Sequence, residues 1–393
     1  MKVLLVNKFH YKRGGSETYY FGLAEALRNC GHEVIFFSMK DKKNFPCEQE
    51  RYFVSNASLE GNIKSKLNLL SHLTYSKEAY RNMKRLLKDE RPDLVILNLI
   101  HKQLTLSIID AIKEFDSKLP LFWVMHDLTP VCPAYTMRDF QGNVCEKCLH
   151  GDFQNCVDNR CVKGSMLMSM LSKYEAELIR KKKWYDKIDL YICPSDFHRK
   201  KLIEGNFTQK PIVTLRNPLY GKNNYAISGE DKGYLLYLGR LSPEKGPGTL
   251  IEAIRNGEYH LVILGTGPQE KELQKKAKDL ANVEFKGFQT GEALESYVKN
   301  CRCVVLPSEC HENCPYSAME AMSVGKPLIV SGYGGLPELV EDGVNGFIYG
   351  HGSEELAECI SKMMTLSEES YQYMSRKSLE KAKSMFDVAC YVD

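Results

Sequence analysis

Two carboxylates frame the segment His311-Glu312-Asn313-Cys314-Pro315-Tyr316-Ser317-Ala318-Met319-Glu320, and both suit a hydroxyl-rich ligand, because a carboxylate accepts hydrogen bonds from vicinal hydroxyls. Val304-Val305-Leu306-Pro307-Ser308 reads as a strand before it, Pro315 suits the first helical position, and Gly325-Lys326-Pro327 closes the helix. The amides of Tyr316 and Ser317 then lack intrahelical partners. With the helix dipole they favour an anion, above all a phosphate. Glu320, over a turn into the helix, is placed to hold a ribose, and Glu312, in the preceding loop, a sugar ring. The plainer alternative is an ordinary helix with exposed glutamates near its start. Upstream, Arg240 follows an apolar run over residues 233–239, and Lys245 lies in the turn Leu241-Ser242-Pro243-Glu244-Lys245-Gly246. Cations at a strand's carboxyl end face the ligand crevice of a doubly wound sheet and suit a diphosphate; as isolated charges they would be solvated.

These groups need strands and helices in alternation to carry them. Leu261-Val262-Ile263-Leu264 runs into Gly265-Thr266-Gly267-Pro268, a G-x-G whose third fingerprint glycine is replaced by Glu270. Met1-Lys2-Val3-Leu4-Leu5-Val6 is too short for a signal core and has no cleavage site after it, so it reads as a first strand at the start of the mature chain. Lys12-Arg13-Gly14-Gly15-Ser16-Glu17 follows, then a helical pattern through Phe21, Leu23, Ala24 and Leu27 that ends at Gly31. Gly14 and Gly15 allow close backbone approach to a ligand, or make a tight turn before a helix capped by Ser16. Further strands are expected at 32–38, 94–97, 121–125, 190–193 and 212–215, and the alternation predicts an α/β fold with parallel sheets covered on both faces. Met125-His126-Asp127 ends one strand, where a catalytic group belongs.

With these motifs in order, the chain resembles the group 1, or family 4, retaining glycosyltransferases of the GT-B fold. The resemblance rests on GRLSPEKG at 239–246, LGTGP at 264–268, GF at 287–288, ENCPYSAMEAMSVGKPLIVS at 312–331 and GGLPELVEDGVNGF at 334–347. It implies two Rossmann-like doubly wound domains facing a central cleft. The first would take residues 1–217 plus 374–393, the second, donor-binding one 218–373, with a break between Asn217 and Lys232. It implies that Glu312 and Glu320 form the Glu-x7-Glu donor motif, and that Arg240 and Lys245 grip the diphosphate of a UDP- or GDP-linked sugar. Phe288 would face the base, Gly265 would line the donor site, and Asn313, Cys314, Pro315 and Tyr316 would contact phosphate or sugar through their backbone. Gly14 and Gly15 would face the donor phosphate, with a looser match at Lys12 and Arg13. His126 matches the active-site histidine, so His126 and Glu312 are the catalytic candidates, and Asp127 is an orienting partner or acceptor contact. Many relatives carry Gly-Phe-Gly where this chain has Asn313-Cys314-Pro315, which leaves the donor open. The implied reaction moves a sugar to a hydroxyl acceptor with retention, the donor phosphate helping to deprotonate the acceptor, with no catalytic metal or other cofactor. Surface glycan or glycoconjugate synthesis is the expected setting. Alternatives are a catalytically silent sugar-nucleotide-binding scaffold, or a nucleotide-sugar epimerase of similar two-lobed fold.

The composition fits two cores: 393 residues, 43% apolar and 26% charged, with no run long enough to span a bilayer. A net charge of +3 does not indicate nucleic-acid binding. Local basic surfaces at Lys64–Lys88 and Lys181-Lys182-Lys183-Trp184-Tyr185 suit either a solvated helix face or peripheral contact with anionic lipid and a lipid-linked acceptor. A cytoplasmic location is expected, either free or peripheral at the inner face of the membrane. The 14 cysteines crowd at Cys132, Cys145, Cys148, Cys156 and Cys161, in an insertion over about 127–164. The C-x2-C pair Cys145 and Cys148, completed by Cys156 and Cys161 or by His150, suits a structural zinc; free thiols are the alternative.

Overall fold

The structure, a computed structural model, describes residues 1–56, 75–221, 225–227 and 230–392. Of the basic stretch Lys64–Lys88, residues 64–74 lie outside the described residues. The chain divides into two compact units, the first from Met1 to Leu215 with the last residues from Val392, the second from Arg216 to Tyr391.

The first unit holds β1 (Lys2–Val6), β2 (Glu33–Phe37), β3 (Leu94–Leu97), β4 (Leu121–Val124), β5 (Leu190–Cys193) and β6 (Ile212–Thr214). They form one sheet in the order β2-β1-β3-β4-β5-β6, every pair parallel. Its helices include α1 (Gly15–Asn29), α2 (Lys77–Glu90), α3 (Ser107–Phe115), α4 (Gln154–Asp158), α5 (Met166–Lys181) and α6 (Asp196–Glu204). A parallel sheet needs cover on both faces, and the strands accordingly read as near-continuous apolar runs: Val3, Leu4, Leu5 and Val6 are fully buried. Each crossover sends the chain back to the same edge, so all turns after the strands gather at one end. The order reverses at β1, which has β2 on one side and β3 on the other. That is where a doubly wound sheet opens a crevice.

The second unit repeats the plan with β7 (Leu235–Leu238), β8 (Leu261–Leu264), β9 (Val283–Gly287), β10 (Cys303–Leu306), β11 (Leu328–Ser331) and β12 (Gly346–Tyr349) in the order β12-β11-β10-β7-β8-β9, again all parallel. The period of two is visible in the cores: Val304, Leu306 and Val330 pack on one face, and Cys303, Val305 and Ile329 on the other. Its helices include α7 (Pro247–Ala253), α8 (Glu270–Lys276), α9 (Gly291–Asn300), α10 (Tyr316–Ser323), α11 (Leu336–Leu339), α12 (Gly352–Met364), α13 (Glu368–Met385) and α14 (Val388–Val392). Here the switch point falls between β7 and β10.

The C-terminal segment differs from expectation. Residues 374–391 stay with the second unit, and only the residues from Val392 belong to the first: α13 packs on the second unit, where Ser375 Oγ donates to the Gly325 carbonyl at 2.6 Å and Ser378 Oγ to that of Lys326 at 2.8 Å. Small serines let the helix approach the turn before β11, and Met374, Ala382 and Phe386 are buried there. The units divide after Leu215, two residues before the expected boundary.

Candidate functional site

In the second unit the predicted donor residues converge on the carboxyl ends of the strands. Lys245 follows β7 and Glu312 follows β10, so the switch point places them side by side, and Lys245 Nζ forms an ion pair with Glu312 Oε1. Ser308 Oγ donates to the same carboxylate oxygen at 2.7 Å, and the Gly335 amide donates to the Glu312 carbonyl at 2.7 Å. Burial works against the Lys245 charge, but Glu312, with Cys310 and Glu244, outweighs it and holds the ammonium above its ordinary value. Gly334 makes this geometry possible: its φ is +66°, and a Cβ there would come within 2.4 Å of the Glu312 carbonyl oxygen. Gly265 has a packing role, since a Cβ would lie 1.9 Å from the Gly239 carbonyl oxygen.

Pro315 occupies the cap rather than the first turn, and α10 begins at Tyr316. The first intrahelical donors are Ala318 and Met319, both to the Pro315 carbonyl, which leaves the amides of Tyr316 and Ser317 at an uncapped end. The Cys314 side chain is buried in the core and its thiol is pushed up to about 12 by burial, so Cys314 can offer a ligand only backbone. Glu320 lines a cavity of about 410 Å³ with Leu294, Glu295, Val298, Lys299 and Ser323. Burial, reinforced by Glu295, raises its carboxyl to about 7. Arg240 is exposed and makes no side-chain ion pair among the described residues, while Tyr237 Oη donates to its carbonyl at 2.8 Å and holds the turn. Phe288, just beyond β9, is 73% exposed, an aromatic face open for stacking. Ser308 was not singled out from the sequence, although its place directly after a buried strand is the signal that would have found it.

In the first unit α1 starts at Gly15 with Gly14 as its cap and no side-chain cap, so Ser16 does not fill that role; its hydroxyl donates to Glu17 Oε1 at 3.0 Å. A Cβ on Gly14 would meet nothing nearer than Glu17 Oε2 at 3.9 Å, so folding does not itself require glycine there. His126 follows β4. Its Nε2 lies 2.9 Å from Asn98 Oδ1, and because the Asn98 Nδ2 donates to the Val6 carbonyl, Oδ1 accepts and the imidazole carries its proton on Nε2. Burial lowers its pKa to about 4 against a small opposing effect of Asp127, so the ring is neutral at pH 7. Asp127 does not orient it: Asp127 Oδ1 accepts from the Thr129 amide at 3.0 Å and its hydroxyl at 2.6 Å, an Asx-type turn. Asn98, at the end of β3, is the partner that sequence reasoning missed.

The expected zinc site is not formed. Among the described residues no group of three or more His, Cys, Asp or Glu side chains is arranged to hold a metal ion. Cys148 and Cys156 are buried in the core of the first unit, while Cys145 and Cys161 are only half-buried. Burial pushes the Cys156 thiol up to about 12 and raises that of Cys148 further. Cys132, Cys148 and Cys156 pack in that core as small apolar side chains.

Comparison with known proteins bears on the family and the fold. Residues 13–219 match the family model Glycosyltransferase Family 4, and residues 224–381 match Glycosyl transferases group 1. An uncharacterised glycosyltransferase of Methanocaldococcus jannaschii is 30% identical over 163 residues, 41% of this chain and 45% of that protein. The lipopolysaccharide 1,2-N-acetylglucosaminetransferase of Salmonella typhimurium is 31% identical over 34% of this chain and 39% of its own length. The chain thus spans less than half of either relative. Anabaena HepE, solved with UDP-glucose, superposes with a TM-score of 0.68 at 20% identity, covering 100% of this chain and 97% of that one. Sucrose-phosphate synthase from Thermosynechococcus elongatus gives 0.70 at 18% identity, covering 99% and 96%. These likenesses show the fold, the GT-B class of two Rossmann-like domains, and with family models matching nearly the whole length, the chain belongs to glycosyltransferase family 4 of the group 1 type.

Proposed function

We propose that this protein is a retaining glycosyltransferase that moves a sugar from a nucleoside-diphosphate sugar to a hydroxyl acceptor in surface glycan or glycoconjugate synthesis. The observation that carries the reading is the pairing of Lys245 with Glu312 at the β7–β10 switch point, beside the free amides at the start of α10. The donor diphosphate is read as taking Lys245, Arg240 and those amides, releasing Glu312 to a sugar hydroxyl, with the ribose on Glu320 and the base on Phe288. That HepE was solved with UDP-glucose supports a nucleotide-linked donor.

In this reaction the bond from the anomeric carbon to the phosphate oxygen breaks through an oxocarbenium-like transition state. Negative charge grows on the departing phosphate, and fixed cations and amides stabilise it there more than in the ground state. The acceptor oxygen bonds to the same face of the anomeric carbon and its proton passes to the departing phosphate oxygen. A neutral His126, held by Asn98, is read as a hydrogen-bonding group for the sugar or acceptor that carries no positive charge of its own. The acceptor is read as a glycan or a lipid-linked glycan. Met166, Leu167, Met170 and Tyr174 form an exposed apolar stripe on α5, leading to Lys181-Lys182-Lys183, and this surface supports peripheral contact with anionic lipid. Among the described residues no helix is long and apolar enough to cross a membrane.

The test is incubation of the purified protein with UDP- and GDP-linked sugars and a panel of hydroxyl acceptors, following diphosphate release and the anomeric proton of the product by NMR. Transfer with the donor's anomeric configuration is expected. Binding without turnover would favour the silent scaffold, conversion of the donor without acceptor would favour the epimerase, and an inverted product would end the retaining assignment.

A further inference from the structure

The short helix α4 ends in a turn that brings two cysteines together. Arg160 stands in the left-handed region with φ +45°, its amide donates to the Val157 carbonyl at 3.0 Å, and the Cys161 amide donates to the Cys156 carbonyl at 3.0 Å. This is the hydrogen-bond pattern of a Schellman cap, in which the third-last helical side chain meets the one two places past the cap. An apolar pair ordinarily fills those two positions; here both are cysteine. Each thiol acts on the other as a hydrogen-bonding neighbour. Glycine is the usual residue at the left-handed position, so Arg160 holds a conformation that its own Cβ disfavours, and a bond between Cys156 and Cys161 would fix it.

The turn also sets the entry into α5. The next amide, that of Val162, donates to Ser169 Oγ at 3.1 Å, and Ser165 Oγ caps α5 by accepting from the Met168 amide at 3.4 Å. Cys156 is buried in the core of the first unit, and Cys161 packs against that core half-buried. An oxidant therefore reaches Cys161 first, with Cys156 behind it to complete the bond. Cys145, also half-buried, is the competing partner, since it too acts on Cys161. Burial raises both thiols of the pair, Cys156 to about 12, so exchange near neutrality is slow, which suits a lock rather than a catalytic dithiol.

We propose that Cys156 and Cys161 form a reversible disulfide that locks the turn between α4 and α5, made by exchange with a small-molecule disulfide. The Cys161 thiolate attacks one sulfur of that molecule and expels the other as a thiolate, which leaves a mixed disulfide on Cys161. The Cys156 thiolate then attacks the Cys161 sulfur and expels the second thiolate. Two cysteine thiols are oxidised, one small disulfide is reduced to two thiols, and the cysteine protons end on those thiols. Excess small thiol reverses both steps.

Reduced full-length protein is incubated with oxidised glutathione at pH 8.5, alkylated, digested with trypsin and read by mass spectrometry, with and without dithiothreitol. Cleavage after Arg160 separates the two cysteines into peptides 148–160 and 161–163. A species that joins these peptides, lighter than their sum by two hydrogens and split by dithiothreitol, is expected, and its fragmentation should place the link at Cys156 rather than Cys148. The exposed Cys30 and Cys390 should carry glutathione instead. Oxidation should raise the melting temperature of the wild type by about 2–8 °C. Cys161→Ser, at a half-buried position, should fold and show neither the link nor the rise. Unjoined peptides, a link made to Cys145 or Cys148, or no rise in melting would each overturn the proposal. So would zinc retained by the reduced protein, read by elemental analysis, because it would give these thiols to a metal.

Discussion

The Glu320→Gln substitution should stabilise the free protein while weakening its hold on the donor, and both effects should grow with pH. Burial and Glu295 raise the Glu320 carboxyl from its ordinary value of 4.5 to about 7. At about 1.4 kcal/mol for each factor of ten, ionising it in the folded protein costs about 3 kcal/mol relative to the unfolded chain. The sign follows from proton counts: between these two values the folded state keeps a proton that the unfolded state has lost. Stability from this group is therefore full below pH 4.5, falls as pH rises to about 7 and is flat beyond. Glutamine has no such term. Melting curves of the two proteins should coincide near pH 4.5 and separate by pH 8, the variant melting about 6–12 °C higher for a unit of this size. Donor binding should move the other way, because a hydrogen bond to a charged group is worth about 1 kcal/mol more than a neutral one, about a five-fold loss of affinity at pH 8 and little loss at pH 5.5. Differential scanning calorimetry across pH, paired with titration of the nucleotide sugar, reads both. Melting differences that stay constant from pH 5 to 8 would refute the reasoning, whatever happened to binding.

Lys245→Met leaves the Glu312 carboxylate without its cation. A cost of about 1–3 kcal/mol is expected, below the range for a fully buried pair because the lysine side chain keeps 31% of its surface exposed; the double variant with Glu312→Gln should regain the stability but not donor affinity in denaturant melts and binding assays. Gly334→Ala forces a left-handed backbone and a Cβ 2.4 Å from the Glu312 carbonyl oxygen, so it should lose about 2–4 kcal/mol and most donor binding, which urea unfolding and titration would show. Asn98→Asp should raise the His126 pKa from about 4 toward neutrality by placing a carboxylate on Nε2–H, visible in imidazole NMR titration, and should depress turnover at low pH. Replacing Met166, Leu167 and Met170 by serine should abolish co-flotation with anionic vesicles and leave the melting temperature within about 2 °C, since these side chains are exposed.

What could be read from the residues depended on whether a position's job was local. The strands were legible because a parallel strand buried on both faces must be an apolar run, and β8 begins and ends where its four apolar residues do. Glu312, Lys245 and Arg240 were legible because each lies in the loop that follows such a run, and topology sends every such loop to one edge. Asn98 occupies an equally telling position, but asparagine after a strand is common turn chemistry, and only the pairing of β3 with β4 through Val95 and Leu121 reveals that it reaches His126. The expected place of the C-terminal helix rests on the family resemblance and not on its residues. Its serines at 375 and 378 lie against the Gly325 and Lys326 carbonyls and let the helix approach the second unit closely.

The cysteines show where spacing alone fails. C-x2-C is a metal signal only if further ligands complete the set, and among the described residues no group of three or more His, Cys, Asp or Glu side chains is arranged to hold a metal ion. The burial that raises the Cys148 and Cys156 thiols acts on two acids as well. Glu320 and Glu175 come from different units and from unrelated sequence contexts, yet each is raised to about 7 chiefly by desolvation beside a switch point. A carboxyl kept near its midpoint at neutral pH can either accept or donate to a sugar hydroxyl, and it does so without the full cost of a buried charge. That shared property is absent from residue type or spacing, because it arises only when a parallel sheet opens at its switch point and packs a helix over the gap.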